Sequence, residues 1–172
     1  EEDQPIITMS SQLSDSGYGN NSYGKASLSY IALKDLLGDD LFKKSLHAYM
    51  ENWNGKHPIP WDYFNSFNTA SGKNLNWFFD NWFFTNNYID LSVKNVVKNV
   101  VTVENVGGFA IPFDVIIKYA DHTTETIHQT PAAWQANQKR AVIALKNKKA
   151  IRQVTIDGGI FMDATPKNNV WA

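Results

Sequence analysis

The sequence predicts an α+β chain in two parts: an N-terminal α-helical subdomain over residues 1–88, followed by an antiparallel immunoglobulin-like β-sandwich over residues 89–172. Three observations carry this. Up to Tyr88, apolar residues recur at the three- and four-residue spacing of amphipathic helices. Beyond it the texture turns to β-branched alternation in short runs broken by Gly, Asn and Asp. The charge divides at nearly the same place, with 6 basic and 11 acidic residues over Glu1–Asp90 (−5) against 10 and 6 over Leu91–Ala172 (+4).

Taken in order, Glu1–Asn21 is polar, with Gly17, Gly19 and a Ser/Asn cluster, and reads as an irregular lead-in. Ala26, Leu28, Ile31, Ala32 and Leu36 then predict a first helix over roughly Lys25–Leu37, closed by Gly38 in a left-handed position. Asp39 or Asp40 is placed to cap a second helix whose Leu41, Phe42, Leu46, Tyr49, Met50 and Trp53 share an apolar face. "GKHPIP" stops it. Pro60 starts a third helix, "PWDYFNSFNTAS", ended by Gly72, and "NLNWFFDNWFF" supplies a short fourth. In that fourth helix Leu75, Phe78, Phe79, Trp82 and Phe83 fall three or four apart and are expected in the core. The segments "IDLSVKNVV", "NVVTVENV", "IPFDVIIKYA", "TTETIHQT", "RAVIALK" and "IRQVTID" predict six or seven strands of a small sandwich.

Composition narrows the function classes. The 172 residues are 43% hydrophobic, enough for a real core, and the net charge of −1 comes without any basic cluster interleaved with aromatics. No nucleic-acid partner is expected. No run approaches the roughly 18 apolar residues of a membrane span, and "EEDQPIITMS" lacks the basic and apolar regions of a signal peptide. With no cysteine, disulfides, CxxC zinc sites and thiol catalysis are excluded. The compartment stays open, an extracytoplasmic parent included.

Chemistry is sparse. His47, His57, His122 and His128 form no HExxH or other recognised metal spacing. There is no GxSxG elbow, Walker loop or dinucleotide-binding fingerprint, and "GYGNNSYG" follows no strand. Asp39 and Asp40 read as a helix start rather than an acid/base pair. Tyr23, in the Gly/Asn/Ser-rich stretch before the first helix, is either an ordinary helix-start aromatic or the hydroxyl of a site completed elsewhere.

The ordered series "YGKA", "LLGDDLFKKSLHAYMENW", "KHPIPWDYFNSF" and "SGKNLNWFFDNWFF" resembles the part of the aminopeptidase N-type and leukotriene-hydrolase-type gluzincin family that follows its zinc motif. Tyr23, Lys25, Ala26, Leu37, Gly38, Phe42, Tyr49, Asp62, Phe64, Gly72, Leu75, Trp77, Phe78, Phe79 and Trp82 occupy the family's positions. "VENVGGFAIPFDVIIKYAD" and the terminal "NNVW" resemble its β-sandwich.

The resemblance implies a C-terminal portion of a zinc metalloaminopeptidase in which the zinc ligands and general base, carried by HExxH and a later Glu, are absent from this chain. Tyr23 corresponds to the family's tyrosine that donates to the oxyanion of the tetrahedral intermediate, and Tyr18 is a second candidate, because some relatives carry a further tyrosine near the site. "AYMENW" looks like the family's exopeptidase motif, but Ala48 replaces its Gly and the stretch is helical, so Met50 is expected in the core and Glu51 in solvent. The implied partners are a peptide substrate of the parent and the rest of the parent's catalytic domain; the implied cofactor is the parent's zinc, with none in this chain. The chain alone is then expected to be inactive. A non-catalytic binding module, or a pseudoenzyme scaffold recognising protein, peptide or glycan, is the alternative.

Overall fold

The computed structural model describes residues 3–172 and divides into two compact units, 1–86 and 87–172. No helix among the described residues is long and apolar enough to cross a membrane. The first unit contains α1 (Asp15–Gly19), α2 (Ala26–Leu37), α3 (Asp39–Trp53), α4 (Pro60–Ser71) and α5 (Asn76–Phe83). Between α1 and α2 the backbone runs as a π-helical turn over Asn20–Lys25. One helical path thus extends from Asp15 to Leu37, with a widened turn in its middle.

The irregular lead-in expected over Glu1–Asn21 is therefore corrected for its second half; Glu1 and Glu2 lie outside the described residues. A glycine-rich composition disfavours helix, but local bonds override it here. The Ser14 hydroxyl accepts the Gly17 amide at 3.0 Å as an N-cap, and Gly17 is buried. Helix α2 ends where the sequence places its end, and Gly38 has φ 76° with ψ 160°, an extended left-handed conformation essentially restricted to glycine. Gly38 itself is the N-cap of α3, so Asp39 and Asp40 fall in the first turn and do not cap it. There they still complement the helix dipole.

Helix α4 starts at Pro60, with the Asp62 carboxylate accepting the Ile59 amide at 2.8 Å, and stops at Gly72 with φ 67°. Its Phe64 stacks on Phe79 of α5 with centroids 4.5 Å apart, and Tyr63 lies 4.7 Å from Phe67. Leu75, Phe78, Phe79, Trp82 and Phe83 are all buried, as the spacing predicts. Met50 departs from its expected core position: it is 52% exposed. The buried positions of α3 are Phe42 and Ser45, so the packed face is rotated away from Met50, while Glu51 is in solvent as expected.

The second unit holds seven strands: β1 (Leu91–Val97), β2 (Val100–Asn105), β3 (Phe113–Tyr119), β4 (Thr124–Gln129), β5 (Arg140–Ala144), β6 (Ile151–Asp157) and β7 (Val170–Trp171). All pair antiparallel, in a three-stranded sheet β1-β2-β5 and a four-stranded sheet β4-β3-β6-β7. Alternate residues face inward: Val101, Val103, Ala141 and Ile143 from one sheet, Val115, Ile117, Val154 and Ile156 from the other. Trp134 is fully buried and donates its indole N–H to the Ile111 carbonyl at 2.8 Å. Gly107 must be glycine, because a Cβ there would come within 2.2 Å of the Tyr88 carbonyl oxygen.

Candidate functional site

Tyr23 sits in the π turn, not in a loop. Six residues make that turn, Asn20–Lys25, and they divide cleanly by burial. Asn21 is 3% exposed and the Lys25 side chain 13%, whereas Tyr23 is 71% exposed. Asn21 and Lys25 flank three exposed residues, Ser22, Tyr23 and Gly24, so the turn is anchored on both sides of the tyrosine. No hydrogen bond to the Tyr23 phenol oxygen forms within the described residues, which leaves its O–H available as a donor. Gly19 and Gly24 leave the outer surface beside it open, since a Cβ at either would meet nothing within 4 Å.

Tyr18, the second candidate, lies in α1 and is 49% exposed. It belongs to the same helical path as Tyr23, five residues earlier, in the α-helical turn that leads into the π turn. Farther along, Tyr30 follows Tyr23 by seven residues, two turns on, and is 36% exposed. Its ring lies 5.4 Å from that of Tyr63, and burial pushes the Tyr30 phenol up and the more deeply buried Tyr63 phenol well up from the ordinary tyrosine range. The sequence pattern did not single out Tyr30; two tyrosines seven apart on one helix were the available signal.

The anchors of the turn are specific. The Asn21 amide N–H donates to the Pro5 carbonyl at 3.0 Å. Lys25 donates to the Gln4 carbonyl at 2.7 Å and pairs with the Asp3 carboxylate at 3.0 Å. The segment they reach, residues 3–7, forms a strap held at its other side by the Ile7 amide on the Phe83 carbonyl at 3.0 Å and by the Asn86 side-chain amide on the Asp3 carbonyl at 3.1 Å.

Metal ligands are a different matter. His47 and His57 are exposed on α3 and in the turn before α4, and His122 is exposed in the β3–β4 turn with φ 67°. His128 Nδ1 lies 2.6 Å from the Asp114 carboxylate, an exposed cross-strand pair. Among the described residues no group of three or more His, Asp or Glu side chains is arranged to hold a metal ion. The donor set of a zinc peptidase does not fit these residues, and no catalytic step through a metal is derived from them.

The comparisons with known proteins bear on the same unit. The peptidase family M1 domain matches residues 1–82, the whole span from the strap through the π turn to α5. Over these residues, just under half of the chain, the sequence is similar to the M1 peptidase family. Among solved structures, the chain is similar to Legionella pneumophila aminopeptidase A, solved in complex with aspartic acid, at 15% identity with a TM-score of 0.56. The match covers 77% of this chain and 16% of that one, so the chain spans a minor part of the protein it resembles. At that identity the likeness supports the mixed α+β fold. No curated protein sequence matches the chain.

Proposed function

We propose that this chain supplies the oxyanion-stabilising wall of a zinc-dependent aminopeptidase of the gluzincin type, with Tyr23 as the donor. The observation that carries the reading is the M1-matched helical unit presenting Tyr23 outward from an anchored π turn, its hydroxyl unbonded. When an amide carbonyl is attacked, negative charge develops on its oxygen, and a donor already aimed at that position stabilises the transition state more than the ground state. Tyr23 can hydrogen-bond such an oxygen without transferring its proton. Tyr18, nearby on the widened helix, has a supporting role. A bound metal would polarise the carbonyl, and its ligands would come from the rest of the catalytic domain, the implied partner.

Two expectations follow. In an M1 catalytic domain containing this chain, Tyr23→Phe lowers kcat by about 10²–10³-fold, the usual effect of losing one oxyanion donor, while KM and zinc content change little. Tyr18→Phe has a smaller effect; a large loss from Tyr18→Phe with none from Tyr23→Phe would exchange the two assignments. The chain alone neither binds zinc stoichiometrically nor releases N-terminal residues from peptides. Tight zinc binding or turnover by the isolated chain, in a titration with a parallel peptidase assay, would refute that part. Peptide or glycan binding by the isolated chain without turnover would favour the binding-module reading instead.

A further inference from the structure

We propose that Lys25, together with Asn21, is a positioning residue for Tyr23: the two side chains clamp the strap Asp3–Pro5 against the inner side of the π turn and so hold the turn open. The proposal rests on the reading of Tyr23 as the oxyanion donor. Its evidence is the distribution of bonds. Asn21 and Lys25, two residues before and two after Tyr23, are the most buried side chains of the turn, and each donates across it to the strap, to Pro5 at 3.0 Å and to Gln4 at 2.7 Å. The ammonium also meets Asp3 at 3.0 Å, a charge-assisted bond from a largely buried group.

A π turn is rarer than an α turn because its backbone packs less well, and it persists where surrounding contacts hold it. The signature of such an imposed turn is present. The Asn21 side-chain oxygen is buried with no hydrogen-bond partner among the described residues, a penalty accepted in order to turn the amide inward. If the clamp is released, the turn can close by one residue into an α turn. At 3.6 residues per turn, that rotates the path N-terminal to it by about 100° relative to α2. The setting of Tyr18 relative to α2 then changes, and the phenol of Tyr23 leaves the direction that the π turn gives it. The strap thus belongs to the site although it touches no reacting atom.

The experiment uses the 172-residue chain and needs no turnover. Amide hydrogen exchange and the ring signals of Tyr23 are followed by NMR in the wild type, Lys25→Met, Lys25→Arg and Asp3→Ala. Lys25→Met is expected to raise exchange over residues 20–27 by about tenfold, as loss of a charge-assisted bond implies, and to shift the Tyr23 ring signals. Lys25→Arg restores both, because a guanidinium can still reach the Asp3 carboxylate and the Gln4 carbonyl. The amides of the β unit serve as an internal control and stay unchanged. Should Lys25→Met fail to fold, Asp3→Ala, which removes only the half-exposed acidic partner, is expected to give the same local pattern at smaller amplitude. Unchanged exchange and ring signals, or a rise spread evenly through α3, α4 and α5, would overturn the proposal. The two readings fail separately: a kcat indifferent to Tyr23→Phe removes the catalytic role while leaving the clamp, and a null exchange result removes the clamp while leaving the oxyanion assignment.

Discussion

In the helical unit the core is largely aromatic and the phenol of Tyr23 faces outward unbonded, whereas in the β unit the buried Asp90 and Asn105 are already bonded within the unit. Around Phe64, Phe67, Phe78, Phe79 and Trp82 the helices interlock by ring contacts, and what emerges at the surface of the π turn is a phenol with no partner. In the β unit, Asp90 is 4% exposed and accepts from the Thr165 hydroxyl at 3.1 Å and the Asn168 amide at 3.0 Å. Asn105, 5% exposed, donates to the Phe109 and Gln138 carbonyls and accepts the Gly108 amide. Such groups are consumed in closing loops. The difference teaches where to look for chemistry: a side chain satisfied inside its own unit has nothing left to offer a substrate, and Tyr23 has.

The contrast can be broken at several points, beginning with the largest effect. Phe79→Ala removes a fully buried ring from the aromatic core and is expected to destabilise the helical unit by about 3–5 kcal/mol, measured by denaturant unfolding with exchange resolved to each unit. A loss under about 1 kcal/mol would mean that the ring contacts do not organise that unit. In the β unit, Asp90→Ala strips two hydrogen bonds from a buried carboxylate and leaves Thr165 and Asn168 without it, for an expected loss of about 2–3 kcal/mol.

A smaller, pH-dependent effect belongs to the β unit alone. Burial, and then the Glu125 carboxylate that accepts from its hydroxyl at 2.5 Å, push Tyr119 up to about 12 from the ordinary value near 10. The folded state therefore favours the protonated phenol. Its contribution to stability is complete below about pH 10 and is lost as the pH rises towards about 12. Alkaline titration of unfolding should show this loss, and Tyr119→Phe should abolish the pH-dependent part. At the small end, Lys34→Ala removes an exposed pair with Asp39 at 3.2 Å and should change stability by no more than about 0.5 kcal/mol.

Much of the fold was legible because its signals are local. The three- and four-residue spacing of Leu75, Phe78, Phe79, Trp82 and Phe83, Pro60 at a helix start, Gly72 at a helix end and the β-branched runs after Tyr88 each act within a few residues. The π turn was not legible. "DSGYGNNSYGK" contains three glycines and four Asn or Ser residues, a loop composition, and its Asn21 and Lys25 bond to a strap some twenty residues away in sequence, contacts that no local pattern encodes. Met50 was misplaced for a related reason. Its spacing fits the apolar face of α3, but the packed face is decided by which side Phe42 and Ser45 turn inward. For the site, the ordered resemblance selected Tyr23 and Tyr18, while Lys25 was visible only as a motif letter. Its ammonium acts through tertiary contacts that no spacing encodes.

The hydroxyl of Tyr23 is the group on which the proposed catalytic role depends. In an M1 catalytic domain containing this chain, pre-steady-state and steady-state hydrolysis of an N-terminal peptide bond by Tyr23→Phe should show kcat reduced by about 10²–10³-fold, with substrate affinity, zinc content and unfolding unchanged. A kcat within about twofold of the unsubstituted protein would contradict the assignment and leave Tyr23 as an exposed aromatic on a structurally imposed turn.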